Sequence, residues 1–145
     1  MLRWRVLRLN GDTSPEAPAR IIHVALRREW TDAERSGGYR MSTRGASLAD
    51  VGYVHASTSA QLPGVLERSY ADLPPQDLIL LVLDVAALES AGSPVRWEQV
   101  PGQERPFPHI YGPVPRSAVV GVIPLDGGTA SVAAALDGWG VLENS

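Results

Sequence analysis

Three histidines, His23, His55 and His109, are the residues best suited to chemistry near neutral pH. Each lies in a segment whose residues favour a strand or a rigid turn. Because an imidazole gains or loses a proton near neutral pH, two or three that meet in space could act as general acid and base or bind a metal. Each could instead be a structural histidine bonded to the backbone. Their spacing matches no local metal motif, so we expect no metal site.

Polar residues that could bind a ligand lie beside His55 and along a later segment. Ser57 and Thr58 follow His55 in the stretch HAST, where each hydroxyl could bind a ligand or cap the next helix. In the stretch VRWE, Arg96 and Glu98 face the same side of a predicted strand, because side chains alternate along a strand. Glu98 could accept a ribose hydroxyl or stabilise a cation, or it could pair with Arg96 at a sheet edge.

The stretch PFPHIYGPVP holds His109 and Tyr111 among four prolines. Proline fixes its backbone torsion before a ligand binds, so the stretch predicts a stiff loop. If this loop is extended, His109 and Tyr111 face one side and the isoleucine between them faces the core. Gly112 leaves room for a close backbone approach or merely turns the chain. We predict one wall of a cleft that faces His23 and His55, with a rigid connection into the last strand as the alternative.

The composition limits the classes of function. The chain has 145 residues, of which 44% are hydrophobic, enough for a single domain with one core. Its net charge of −3 and pI near 5.5 favour neither nucleic acid nor an anionic membrane as a partner. There is no Cys, which excludes thiolate chemistry and fits a cytoplasmic location. There is also no Lys, which excludes Schiff-base catalysis.

Short strands outnumber helices between these motifs. Apolar, branched or alternating residues predict strands over Arg20 to Leu26, Gly52 to Thr58, Leu78 to Val85, Val95 to Glu98 and Ala118 to Pro124. We expect Leu78 to Val85 to be the central strand because it is the most apolar. Helices are predicted over 28–38, closed by a pair of glycines, after 57 with Pro63 in the first turn, and over 129–138. The polar residues 40–50 predict a long surface loop.

These elements predict one compact unit between two extensions. Residues 1–19 form an N-terminal arm and linker, because arginines interrupt their apolar residues and turn formers follow. The arm could be a short strand or a basic amphipathic tail that contacts a partner. Residues 20–124 form the domain. Residues 125–145 form a C-terminal helix and tail.

The motifs together resemble a known bacterial family. The stretches IIHVALRREW, GYVHASTSAQLPGVLERSY, LILLVLDVAAL, SPVRWE and PFPHIYGPVPRSAVVGV are similar to the family called domain of unknown function 952, and they cover nearly all of residues 20–123. The order of elements also resembles the ADP-ribosyltransferases and the RNA 2'-phosphotransferases. This resemblance implies an α+β fold with a split, mainly antiparallel sheet, flanking helices and a cleft.

The resemblance also implies roles for single residues. His23 is similar to a first-strand residue that binds ribose or nicotinamide, and Tyr111 could stack on a flat ring. Glu98 or His109 is nearest to a charge-stabilising position. We therefore predict catalytic roles for His55, His109 and Glu98, and cofactor-binding roles for His23, Ser57, Thr58, Tyr111 and Arg96.

Three functions remain open for such a cleft. It could bind NAD, a nucleotide or a similar small molecule and transfer ADP-ribose, with Glu98 stabilising the positive charge that develops on the ribose. Alternatively, His55 and His109 could move protons on a small metabolite during a cyclisation, dehydration or isomerisation. The third function is ligand binding without turnover.

Overall fold

The structure, a computed structural model, describes residues 18–36, 38–43 and 46–125. Residues 1–17 of the predicted N-terminal arm and linker, the predicted C-terminal helix and the first glycine of the predicted helix cap at residue 37 lie outside the described residues. Within them the fold is α+β, with antiparallel sheets and a few short helices. The split, mainly antiparallel sheet expected from the sequence is therefore confirmed.

The most apolar segment forms the middle of the main sheet, as predicted. Strand β6 (Leu78–Asp84) pairs antiparallel with β1 (Arg20–Leu26) on one side and with β10 (Val119–Pro124) on the other. Both faces of this sheet are covered, so the first six residues of β6 are all buried. Because side chains alternate, the odd-numbered residues of β6 pack into one apolar cluster and the even-numbered residues into another.

A second three-stranded sheet carries the candidate chemistry. Its middle strand is β8 (Phe107–Ile110), which pairs antiparallel with β5 (Val54–His55) and with β7 (Val95–Glu98). The proline-rich stretch was expected to be a stiff loop, and that expectation is wrong, because its first half is this central strand. Proline has no N–H to donate to a partner strand. The pairing with β5 ends at His55, opposite His109, so Pro108 lies beyond it and breaks no long series of hydrogen bonds with β5.

The two sheets meet at one short bridge. Ile22 of β1 and Ser57, just after β5, exchange two main-chain hydrogen bonds of 2.9 and 2.8 Å. This bridge places His23 next to the segment that contains His55. The split between the sheets thus lies where the predicted site residues of both sheets come together.

Residues 40–50 are more ordered than their polar composition predicts. They contain the hairpin of β3 (Met41–Thr43) and β4 (Ala46–Ser47), followed by helix α2 (Leu48–Val51). The side chain of Ser47 accepts a hydrogen bond from the N–H of Asp50, whose carboxylate accepts one from the N–H of Ser47. This capping box starts the helix, so the predicted long loop is wrong.

The remaining helices cover the sheets. Helix α1 (Arg27–Ser36) confirms the helix predicted over 28–38, and it buries Trp30. The other elements are helix α3 (Leu62–Ser69), helix α4 (Val85–Ser90), two short 3₁₀ turns at Pro75–Asp77 and Arg116–Ala118, and the small pair β2 (Gly38–Tyr39) and β9 (Val114–Pro115). In the part of the chain that the structure describes, every helix is too short or too polar to cross a bilayer.

Gly112 allows two segments to approach closely. The space around Gly112 leaves no room for a side chain, because a Cβ there would lie 2.4 Å from the hydroxyl of Ser93. That hydroxyl donates a 2.6 Å hydrogen bond to the carbonyl of Pro113. Of the two roles considered for this glycine, close approach is the one found.

Candidate functional site

The pairing of β5, β8 and β7 places three polar side chains side by side. His55 lies opposite His109, and His109 lies opposite Arg96. Directly opposed residues of antiparallel strands share a face, so these side chains form one row. The rings of His55 and His109 are 5.1 Å apart between centroids and nearly perpendicular. Val54 and Ile110 alternate with them and are fully buried on the other face.

Glu98 connects His109 to Tyr111. Its Oε1 accepts a 2.7 Å hydrogen bond from Nδ1 of His109 and a 2.6 Å hydrogen bond from the hydroxyl of Tyr111. These hydrogen bonds, that of Tyr111 above all, lower the pKa of Glu98, so the carboxylate is ionised at neutral pH. The same hydrogen bond raises the pKa of Tyr111, which remains a neutral donor.

Tyr53 covers the two histidines and was missed by the sequence predictions. Its ring stacks on His109 with centroids 4.0 Å apart and planes 15° apart, and it meets the edge of His55 at 4.9 Å. A signal was available in the sequence, because Tyr53 lies two residues before His55 and therefore faces the same side of an extended segment. Arg96 lies over the ring of Tyr111, 5.2 Å from its centroid.

His23 uses both ring nitrogens inside the protein. Its Nδ1 donates to the main-chain carbonyl of His55 at 2.5 Å, and its Nε2 accepts a 2.9 Å hydrogen bond from the hydroxyl of Tyr39. Burial lowers the pKa of His23 to about 4, so the ring is neutral at physiological pH. The structural role considered for each histidine is therefore found for His23. Tyr39, its buried partner, was not among the predicted site residues.

A cavity of about 190 Å³ lies where the two sheets meet. Three predicted site residues line it, namely His23, His55 and Ser57. Ser42 and Ser57 are buried, and their hydroxyls have no hydrogen-bond partner among the described residues. A buried polar group without a partner costs about 1–3 kcal/mol, so such groups mark places where a polar molecule binds favourably.

Of the two histidines that line this cavity, His55 is the one whose ring nitrogens are available. The structure shows no hydrogen bond from either ring nitrogen to the residues it describes, and the side chain is only partly buried. Partial burial, and then the nearby His109, lower the pKa of His55, which keeps the imidazole neutral near pH 7. A neutral imidazole with free nitrogens can accept a proton from a bound molecule or return one to it.

The other predicted residues lie outside the cavity wall. His109, Glu98, Tyr111 and Arg96 form the adjoining cluster under Tyr53, and Nε2 of His109 is buried without a partner among the described residues. The proline-rich stretch reaches the cavity through Phe107.

Thr58 has a structural role. Its hydroxyl accepts a 3.2 Å hydrogen bond from the N–H of Gln61, and its own N–H donates a 3.0 Å hydrogen bond to Oε1 of Gln61. This reciprocal pair has the form of a capping box in the turn that leads into α3, where the N–H of Leu62 also donates to the carbonyl of Thr58. Among the described residues, no group of three or more His, Asp or Glu side chains is arranged to hold a metal ion.

Comparison with known proteins places the chain in a family. A family model described as "Protein of unknown function (DUF952)" matches residues 24–122. The chain belongs to this family. The match spans β1 to β10 and includes every predicted site residue except His23, which lies one position before its start. The resemblance drawn from the sequence motifs is thus confirmed at the level of the family.

The chain is also similar to solved structures of a bacterial protein. The crystal structure of protein CC0527 from Caulobacter crescentus is 28% identical, with a TM-score of 0.61, and the alignment covers 74% of this chain and 86% of that chain. The solution NMR structure of CC0527 is 29% identical, with a TM-score of 0.51, and the alignment covers 73% of this chain and 84% of that chain. No curated protein matches the chain.

Proposed function

We propose that this DUF952 protein is an enzyme that moves a proton on a small molecule bound in the cavity between the two sheets. His55 is the residue that exchanges the proton. The observation that carries the proposal is that His55 lines the cavity and that its ring nitrogens form no hydrogen bond to the described residues. His23, by contrast, has both nitrogens occupied.

The surroundings of His55 are suited to general acid–base catalysis. The main-chain carbonyl of His55 is held by His23, and its ring packs against the rings of Tyr53 and His109. Glu98 fixes the His109 ring through Nδ1. A ring held on several sides loses little freedom when it meets a substrate, which favours proton transfer in a defined direction. Cyclisation, dehydration and isomerisation are reactions that such a group can catalyse.

The pKa of His55 supports the role of base at physiological pH. Because the pKa is lowered, the neutral form predominates at a lower pH than for a free histidine. A rate that depends on neutral His55 should rise with pH and reach its plateau below the pH at which an ordinary histidine would reach it. The expected pH profile therefore has its lower limb displaced to acid.

Deuterium exchange tests the proposal without knowledge of the natural substrate. The protein is incubated in D₂O with small carbonyl compounds, hydroxy acids and their phosphorylated forms, and mass spectrometry measures deuterium in carbon-bound positions. We expect at least one compound to exchange with the wild-type protein and not with His55→Gln. Exchange that persists in a folded His55→Gln variant, or binding of compounds without exchange or product, would reject the proposal. The second outcome would indicate a ligand-binding module.

A second candidate function is chemistry on NAD, in which the fold is ADP-ribosyltransferase-like. The ionised Glu98 carboxylate favours it, because the Glu98 side chain is 38% exposed and bonds to Tyr111, whose ring lies 5.5 Å from that of Tyr53. A carboxylate can stabilise the positive ribose that forms when the nicotinamide bond breaks, and the rings can stack on a base. The cavity is smaller than the roughly 300–1,000 Å³ of ordinary ligand pockets, so NAD would also occupy the open face of the second sheet.

Thermal-shift and calorimetric titrations separate the two candidates. NAD, ADP-ribose and nicotinamide are added separately to the wild-type protein and to Glu98→Gln. Stabilisation of the wild type that is lost in Glu98→Gln would support the second candidate. No stabilisation by any of the three at millimolar concentration would reject it.

A further inference from the structure

The cavity beside His55 has an uneven distribution of charge. Its wall contains one residue with a permanent formal charge, Arg68, and no Asp or Glu. The other polar side chains of the wall are histidine, serine and tyrosine. A positively charged pocket is unexpected in a chain with a net charge of −3. The cavity therefore attracts negative charge locally, although the whole protein does not.

Helix α3 has a feature that accommodates the Arg68 side chain. Gly64 lies one turn before Arg68, and a Cβ at Gly64 would be 2.8 Å from Nη1 of Arg68. The guanidinium thus lies over the helix at the point where a side chain is missing. Arg68 forms no ion pair with a carboxylate in the part of the chain that the structure describes. Its five N–H donors remain available for an anion.

Two buried serines supply further donors in the same cavity. Ser42 comes from β3 and Ser57 follows β5, and they are 0% and 2% exposed. Both hydroxyls lack a partner among the described residues, and both residues line the cavity. Two hydroxyls and one guanidinium that converge on one space are a donor set typical of carboxylate or phosphate binding.

We propose that this cavity binds the anionic group, a carboxylate or a phosphate, of the molecule on which His55 acts. Arg68 supplies the charge, and Ser42 and Ser57 supply neutral donors. At about 190 Å³ the cavity suits a small anion or the anionic end of a larger ligand. This inference rests on the proposed function in one respect, namely that the bound molecule is the substrate of His55. Sequence reasoning did not select Arg68 or Ser42.

Titration with simple anions tests the inference without turnover. Amide chemical shifts are recorded while inorganic phosphate or acetate is added at constant ionic strength, with chloride as the reference anion. The two arms distinguish a phosphate site from a carboxylate site. We expect saturable shifts at Ser42, Ser57 and Arg68 with at least one anion.

Variants make the assignment specific. Arg68→Gln should weaken binding roughly tenfold or more, because a charge-assisted hydrogen bond is lost. Ser57→Ala should weaken it several-fold. Arg105→Gln removes the same charge from an exposed position outside the cavity wall and should leave binding unchanged.

The outcomes separate this inference from the proposed function. No saturable binding of either anion, or equal affinities in Arg68→Gln and Arg105→Gln, would overturn the anion site even if deuterium exchange depends on His55. Anion binding that depends on Arg68, with no exchange of any compound, would support the site and reject the catalytic proposal.

Discussion

His23 donates a hydrogen bond from Nδ1 to the main-chain carbonyl of His55, next to the Ile22–Ser57 bridge that joins the two sheets. The contact joins residues 32 positions apart in sequence. The hydrogen bond occupies one ring nitrogen of the buried His23 and fixes the backbone of His55. The ring nitrogens of His55 form no hydrogen bond to the described residues. Two histidines that look alike in the sequence therefore have different hydrogen-bonding environments.

Stability should fall in acid because of His23. Its pKa is about 4 in the folded protein and 6.5 in an ordinary histidine. Above pH 6.5 the ring is neutral in both states and has no effect. Between pH 6.5 and about 4 the unfolded chain binds a proton that the folded protein does not, so the free energy of unfolding decreases by about 3 kcal/mol as pH falls.

Urea unfolding at several pH values checks this prediction. The wild-type protein should show a steeper loss of stability on acidification than His23→Gln, which has no group to protonate at this position. Equal pH dependence in the two proteins would contradict it.

Glu98→Gln should lower the pKa of Tyr111. The hydrogen bond to the ionised carboxylate raises that pKa, and a neutral amide removes the charge that opposes tyrosinate formation. Ultraviolet titration of tyrosinate measures the change, and Tyr111→Phe identifies which signal belongs to Tyr111. Glu104→Gln, an exposed change of the same kind, serves as the control and should leave the titration as in the wild type.

Tyr53→Ala should destabilise the second sheet. The variant removes a ring that stacks on His109 and contacts His55, and aromatic pairs contribute about 0.5–1.5 kcal/mol beyond the area they bury. We expect a loss of at least about 1 kcal/mol in the free energy of unfolding by denaturant. Tyr53→Phe keeps the ring and should stay within about 0.5 kcal/mol of the wild type. Equal losses in both variants would show that the hydroxyl matters more than the stacking.

Gly112→Ala should destabilise the protein by about 1–3 kcal/mol, because the new Cβ would clash with Ser93. Gly38→Ala is the matched change, since a Cβ at Gly38 meets no atom within 4 Å. We expect its effect to stay within about 1 kcal/mol. Thermal unfolding of both variants measures the contrast, and a Gly112→Ala variant as stable as Gly38→Ala would show that the two segments can separate at little cost.

Local patterns in the sequence predicted most of the large elements. The apolar run from Leu78 to Val85 identified the central strand, now observed at Leu78–Asp84, because a strand covered on both faces is apolar along its length. Alternation in VRWE placed Arg96 and Glu98 on one face. The same reasoning failed for residues 40–50, where a capping box starts a helix despite the polar composition. It also failed for the proline-rich stretch, where partner strands hold the chain in a sheet despite the prolines.

The sequence by itself determined the family, because the resemblance rests on local motifs, and through that resemblance it indicated the α+β class. It also supplied the three histidines as candidates. Only the tertiary structure decided which histidine is available. That distinction depends on long-range contacts. Tyr39 and the His55 carbonyl occupy the two ring nitrogens of His23, and Glu98 binds Nδ1 of His109. The cavity beside His55 lies where the two sheets meet. Arg68 and Ser42 could not be found from the sequence for the same physical reason, since their significance arises from a space formed by six separate stretches of the chain.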